Sequence, residues 1–363
     1  MKILVTGAGG FIGHHLVKAL KKQGHWVRGV DIKQPEFEPT AADEFELLDL
    51  RRFDCALQAT RAVDRVFHLA ANMGGIGFIE NFKGVIVRDN TMINIHTIEA
   101  ARINGVKRFL FTSSACIYPG YKQKEADVTP LKESDAYPAD AEDGYGWEKL
   151  YMERTCRHYR EDFGLDTRIV RFHNIFGPLG TYDGGREKAP AAMCRKIALV
   201  EDGGEIEVWG DGKQTRSFCY IDDCVEGLMR LMDSDFHDPL NLGQDRMVTI
   251  DELAHMVAAI AGKKIRLRHE LNRPLGVRGR NSDNSLLRQV LKWEPQISLE
   301  EGLRVTYEWI RGVLIKTGRL KAYFCRCHIK NSRLRSETYI YSHPRSTILL
   351  RISVTRAAVA SHV

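Results

Sequence analysis

The chain has 363 residues, 44% apolar and 28% charged, and no apolar run approaches the ~18 residues of a spanning helix, which argues against both a disordered chain and a membrane-spanning one. The formal charge of +6 is uneven: residues 316–363 hold ten Lys/Arg and one acid, Glu337, a local +9 that leaves −3 for residues 1–315. A body without basic excess offers nothing to a phosphate backbone, so neither a nucleic-acid nor a membrane partner is expected of it.

Eight cysteines (Cys55, Cys116, Cys156, Cys194, Cys219, Cys224, Cys325, Cys327) are scattered without the spacing of a secreted disulfide scaffold, and Met1 to Gly7 enters a strand-like run with no signal-peptide core. Reduced thiols and a cytoplasmic location are the expectation. The cluster Cys325, Cys327, His328 lacks a second ligand pair, so no metal site is expected there.

In chain order, short apolar runs at 3–5, 27–30, 45–48, 66–69, 109–111 and 169–170 read as strands, and helical spacing fills 14–22, 90–104 and 145–163 between them. In the second of these helices Ile93, Thr97, Ala100 and Ala101 keep the i, i+3/i+4 rhythm. This βαβα alternation predicts an α/β protein with a Rossmann-type, doubly wound parallel sheet. Beyond residue 172 glycine pairs punctuate the chain, and helices at 190–200, 222–233, 250–261 and 299–313 alternate with short strands, as expected of a smaller C-terminal α/β substrate lobe. The predicted organisation is therefore a nucleotide-binding domain at 1–172, to which later segments can return, a substrate lobe at 173–315, and a basic, poorly ordered tail at 316–363.

Gly7, Gly10 and Gly13 follow a strand and open a helix, the context in which backbone amides approach a pyrophosphate. Asp31 closes the second strand, where a carboxylate accepts from ribose hydroxyls and repels a 2′-phosphate, which favours NAD; nearby Lys33 softens that preference. Asp49 reads equally as an adenine contact or as a helix cap before Arg51. Tyr145 and Lys149 stand at i, i+4 on one helix face, where the ammonium can ease loss of the phenolic proton. The spacing alone is common, and its meaning comes from the hydroxyl-rich strand end Thr112-Ser113-Ser114 at the ligand-binding edge of the sheet. Cys116 beside that edge reads as core filler or as a proton carrier, and Lys188 as a surface lysine or as its partner.

Over roughly residues 1–315 these motifs resemble the extended short-chain dehydrogenase/reductase family of nucleotide-sugar enzymes. The resemblance implies bound NAD, with Ser114, Tyr145 and Lys149 as the hydride-transfer set and Phe11, Ile12, Leu50, Leu69 and Ala71 lining the cofactor beside the glycines, Asp31 and Asp49. Family dehydratases carry an acid where Cys116 stands here. The runs 70–79, 113–119, 171–178, 184–196, 209–218 and 276–283 narrow the resemblance to members that invert C3 and C5 of the mannose in GDP-mannose through a 4-keto intermediate, giving GDP-L-galactose and GDP-L-gulose. It then implies Cys116 and Lys188 as an acid/base pair on opposite faces of the sugar. It also implies that Gly74, Ser113, Asn174, Glu187, Lys196, Gln214, Arg216 and Arg280 hold the GDP-sugar. Arg216 and Arg280 suit bidentate phosphate binding, with Arg278 a substitute for Arg280. Members commonly form homodimers through the helices at 90–104 and 145–163. The alternatives are a simple nucleotide-sugar 4-epimerase with Cys116 as packing, and a non-catalytic NAD-sensing or RNA-associated protein that uses the basic tail.

Overall fold

The computed structural model describes residues 1–321 and the strands Tyr339–His343 and Ser346–Leu350. Residues 1–319 form one compact unit. Its strands are β1 (Lys2–Thr6), β2 (Trp26–Asp31), β3 (Glu44–Leu47), β4 (Arg65–His68), β5 (Arg108–Ser114), β6 (Asp166–Phe172), β7 (Ile175–Phe176), β8 (Glu205–Trp209), β9 (Thr215–Ser217), β10 (Cys219–Tyr220), β11 (Pro239–Leu242), β12 (Met247–Thr249), β13 (Arg266–Glu270) and β14 (Gly279–Arg280). Its helices are α1 (Phe11–Lys22), α2 (Phe53–Ala59), α3 (Ile76–Asn81), α4 (Lys83–Ile103), α5 (Asp143–Phe163), α6 (Ala189–Leu199), α7 (Ile221–Asp233), α8 (Ile250–Ala261), α9 (Ser285–Leu291) and α10 (Leu299–Lys316).

Seven strands make one all-parallel sheet in the order β11-β6-β5-β4-β1-β2-β3, as the βαβα pattern predicts. Strand order reverses between β1 and β4, so the carboxyl ends of β1, β2, β4 and β5 open onto one crevice. Buried Leu4, Val30, Val66, Phe109, Phe111 and Ile169 close the core on one face of this sheet with Ile98 of α4 and Met152 of α5. β11 comes from the later half of the chain and completes the sheet beside β6.

The remaining strands are short: β12-β9-β14 form one small sheet and β8 pairs with β13. Their neighbours α8 and α10 begin with capping boxes, in which Thr249 and Ser298 accept from the amides of Glu252 and Glu301. No helix among the described residues is long and apolar enough to cross a membrane.

Two helices start well before the sequence reading, and one short helix was not expected. α1 starts at Phe11, because Gly13 belongs inside the helix, where a Cβ would stand 2.1 Å from the Gly7 carbonyl oxygen. α4 starts at Lys83, seven residues before the predicted Asn90, and its first turn is held against α5, with Lys83 Nζ 2.7 Å from Asp143 Oδ1. α3 was not foreseen, since glycines at 74, 75 and 77 mask its helical spacing. Of the tail 316–363, α10 takes Lys316, and Tyr339–His343 pairs antiparallel with Ser346–Leu350. Cys325, Cys327 and His328 lie outside the described residues.

Candidate active site

The glycine turn is built for close approach. Gly7 has φ +71°, and a Cβ there would meet the Leu69–Ala70 backbone at 2.9 Å, so only glycine lets β1 and β4 end side by side. Gly10 precedes α1 with no side chain capping the helix, which leaves the amides of Phe11 and Ile12 directed at the crevice mouth. Asp31 Oδ2 accepts from Gly9 N at 2.9 Å and Oδ1 from Ile32 N at 2.7 Å, which fixes the carboxylate at the end of β2; burial pushes its proton affinity up. A groove lined by Gly9, Gly10, Phe11, Lys33, Phe37 and Leu179 continues from it. An uncapped helix start, a side-chain-free turn and a placed carboxylate are the donor and acceptor set a dinucleotide requires, so these residues fit NAD. Asp49 instead pairs with Arg51 at 2.7 Å, next to buried Leu50.

Ser114 ends β5 and its Oγ accepts from Cys116 N at 3.2 Å, starting a single helical turn, Ala115–Ile117. The Cys116 carbonyl in turn accepts from Glu142 N at 2.9 Å at the start of α5, which brings Tyr145 beside the thiol. Burial pushes the Tyr145 phenol well above its usual value; the charges of Cys116 and Glu148 add to this and a hydrogen bond with Ser114 opposes it. Lys149 lies one turn after Tyr145 and is buried beside it. Its Nζ lies 5.6 Å from the Tyr145 ring centroid, 4.8 Å from that of Phe111 and 3.7 Å from Glu148 Oε1, so its charge sits over ring faces and is shared with a carboxylate.

Lys188 precedes α6, near enough to Cys116 for the thiol to act on its charge. The lysine as a whole keeps accessible surface, while the groups around its ammonium desolvate it and hold it below the ordinary lysine value. The loop carrying it rests on the segment before α3, with Gly75 N donating to Arg186 O at 3.1 Å, and Gly75 has no room for a Cβ against Glu187 O (2.7 Å). Gly74 is packed likewise against Phe78. Cys116 and Lys188, 72 positions apart in the sequence, thus lie within electrostatic reach of each other.

The other expected substrate residues divide into open and engaged. Gln214 is buried, its Nε2 donates to Trp209 O at 2.8 Å, and its Oε1 has no partner among the described residues. Among the described residues Arg216 donates only to the Thr215, Leu275 and Val277 carbonyls, and burial lowers its proton affinity to about 10, with Cys116 opposing. Lys196 donates to Glu207 O at 2.7 Å, and Asn174, at φ +44°, donates to Ser217 O at 2.9 Å. Glu187 accepts from Gly185 N and from Arg195. Arg278 is held bidentately by Asp211 at 2.7 and 2.9 Å, and Arg280 by Gln123 and Glu142. The Ser113 hydroxyl points into the core, donating to Glu153 Oε1 at 2.5 Å, where Glu153 also pairs with fully buried Arg171.

Sequence reasoning missed the polar support beneath the site. Thr6 Oγ1 accepts from Leu69 N and Ala70 N, so its proton goes to His68 Nδ1 at 2.9 Å; the other ring nitrogen then donates to Asn94 Oδ1 at 3.0 Å. Asn94 and Asn90 each donate to Glu148 at 2.9 Å. Glu148 had one visible signal: it lies three residues after Tyr145 and one before Lys149, on a helix face that must be buried.

The model of the NAD dependent epimerase/dehydratase family matches residues 3–243. The chain belongs to that family. Among curated relatives of this family, the GDP-mannose 3,5-epimerase of Arabidopsis thaliana is 54% identical over 313 residues, which cover 86% of this chain and 82% of the relative. The GDP-mannose 3,5-epimerase 1 of Oryza sativa subsp. indica is 52% identical over the same shares. Among solved structures, UDP-glucose 4-epimerase of Thermotoga maritima with UDP-glucose superposes with TM-score 0.79 at 26% identity, over 86% of this chain and 100% of that one. The UDP-glucuronic acid 4-epimerase of Bacillus cereus, in complex with UDP-glucuronic acid and NAD, gives TM-score 0.74 at 26% identity, with the same coverage.

Proposed function

We propose that this chain is a GDP-mannose 3,5-epimerase, an isomerase that inverts C3 and C5 of the mannose of GDP-mannose through a 4-keto intermediate and yields GDP-L-galactose and GDP-L-gulose. The observation that carries the reading is the meeting of Cys116 and Lys188 beside Tyr145: a simple 4-epimerase needs the tyrosine alone. NAD, when bound, supplies the acceptor and donor of the C4 hydride. Tyr145 takes the O4 proton, with Ser114 hydrogen-bonded to it. Oxidation at C4 acidifies the protons on C3 and C5. Cys116 removes one of them, and Lys188, which desolvation of its ammonium makes a readier proton donor, returns a proton on the opposite face.

Arg216 and Lys196 serve the diphosphate, since neither is paired with a carboxylate among the described residues, and the free oxygen of Gln214 awaits a donor from the ligand. Gly74 and Asn174 shape the floor, the Ser113 backbone borders the sugar, Glu187 braces the Lys188 loop, and Arg278 reaches the nucleotide after parting from Asp211. Gly7, Gly10, Phe11, Ile12, Gly13, Asp31, Asp49, Leu50, Leu69, Ala71 and Lys149 hold NAD. The protein acts in the cytoplasm, on a small sugar nucleotide and not on membrane or nucleic acid. It works as a homodimer through α4 and α5, whose exposed Val85, Met92, Trp147 and Tyr151 suit a four-helix contact.

Incubation of the purified protein with GDP-mannose, without added NAD, tests this reading by chromatography of the products. GDP-L-galactose and GDP-L-gulose are expected; a product inverted at C4 alone would replace the reading with that of a 4-epimerase.

A further inference from the structure

The Arg280 guanidinium is held among protein groups beside the Cys116 turn. A Cβ on Gly279 would lie 2.2 Å from the Glu125 carbonyl oxygen, so β14 rests directly on the chain that leaves the Cys116 turn. Gln123 O accepts from the amides of Arg278 (3.0 Å) and Gly279 (3.3 Å), while Gln123 Nε2 donates to Tyr118 O at 3.1 Å. In this setting each guanidinium nitrogen already has a partner. Nε donates to Gln123 Oε1 at 2.7 Å, Nη2 to Glu142 Oε1, and Nη1 to Cys116 Sγ at 3.6 Å. The Arg280 side chain is 7% exposed, so water screens the contact little.

We propose that Arg280 is the positioning residue for Cys116: its Nη1–H orients the sulphur and favours the thiolate, while Glu142 and Gln123 hold the guanidinium for that task. The proposal rests on the reading of Cys116 as the base. In the step it serves, a C–H bond of the 4-keto sugar breaks and an S–H bond forms, and the electron pair stays on carbon, delocalised onto the ketone oxygen. Other titratable or charged groups face the thiol from neighbouring elements: Tyr145 from α5, Lys188 before α6, and Arg216 on β9. None of these donates to the sulphur among the described residues, since Arg216 gives its hydrogens to carbonyls. Glu142 is the opposing anion, but it engages the nitrogen that does not touch sulphur.

The test is alkylation of the protein as purified by iodoacetamide at neutral pH, with mass spectrometry following the Cys116 peptide. Arg280→Gln is expected to slow alkylation about tenfold or more, and Arg280→Lys to restore it to within about threefold of the native rate. A native rate in Arg280→Gln overturns the proposal. Should that variant not fold, Gln123→Met decides: loss of the oxygen that holds Nε is expected to slow alkylation several-fold, and an unchanged or faster rate overturns the proposal. Turnover of Cys116→Ala separates the two claims. Full activity there removes the base reading whatever the alkylation shows, whereas an inactive variant with Arg280-independent alkylation removes only the role of Arg280.

Discussion

Gly146 and Cys116 meet backbone to backbone: a Cβ on Gly146 would stand 2.2 Å from the Cys116 carbonyl oxygen and 3.0 Å from its carbon. This contact lets α5 lie on the turn that follows β5, and so sets Tyr145 against the thiol from a different element of the chain.

Gly146→Ala tests the contact. The turn and helix must separate, at an overpacking cost of ~1–3 kcal/mol. Misplacement of reacting groups by ~1 Å costs as much as 10²-fold in rate. Thermal melting should show a drop of several degrees, and turnover should fall by far more than the stability loss explains.

A buried histidine sets the acid limit. His68, enclosed between Thr6 and Asn94, is held down to about 3 by burial, against ~6.5 for an ordinary imidazole. Between these values the unfolded chain binds a proton that the native ring refuses, so the native advantage is full above ~6.5 and is lost as pH falls, at ~1.4 kcal/mol per pH unit. Urea unfolding from pH 7 to 4 should therefore show the native protein losing stability relative to His68→Gln. Parallel curves would show that this ring is not the cause.

The orphan oxygen of Gln214 predicts a binding defect. Gln214→Met removes an acceptor that only a ligand donor can satisfy, so KM for the sugar nucleotide should rise up to ~10-fold with kcat little changed. Steady-state kinetics that show a fall in kcat instead would place Gln214 at the reacting carbons.

The fold was largely legible because its signals are local. The run at 3–5, the glycine turn and Asp31 mark β1, α1 and β2, and α6, α7, α8 and α10 lie within a few residues of their predicted spans. Tyr145, Lys149 and Cys116 were visible as residue types next to a strand end. What was not legible is what long-range packing decides. Nothing near Gln123 or Glu142 signals that Arg280, 157 and 138 residues away, comes to lie between them and the thiol. Ser113 and Ser114 look alike in sequence, yet strand alternation turns the first hydroxyl to Glu153 and the second to the turn that carries Cys116. The carboxylate beside Lys149 was hidden for a similar reason, since Glu148 is drawn inward by Asn90 and Asn94.

The central claim is that Cys116 and Lys188 exchange protons at the carbons beside a 4-ketone. The direct measurement is NMR of the sugar-ring protons of GDP-mannose incubated with the protein in D₂O. Deuterium should enter at C3 and C5 with L-sugar products, Cys116→Ala should abolish its entry, and Lys188→Ala should allow entry but block inversion. Ring protons that persist unchanged with NAD supplied would contradict the account.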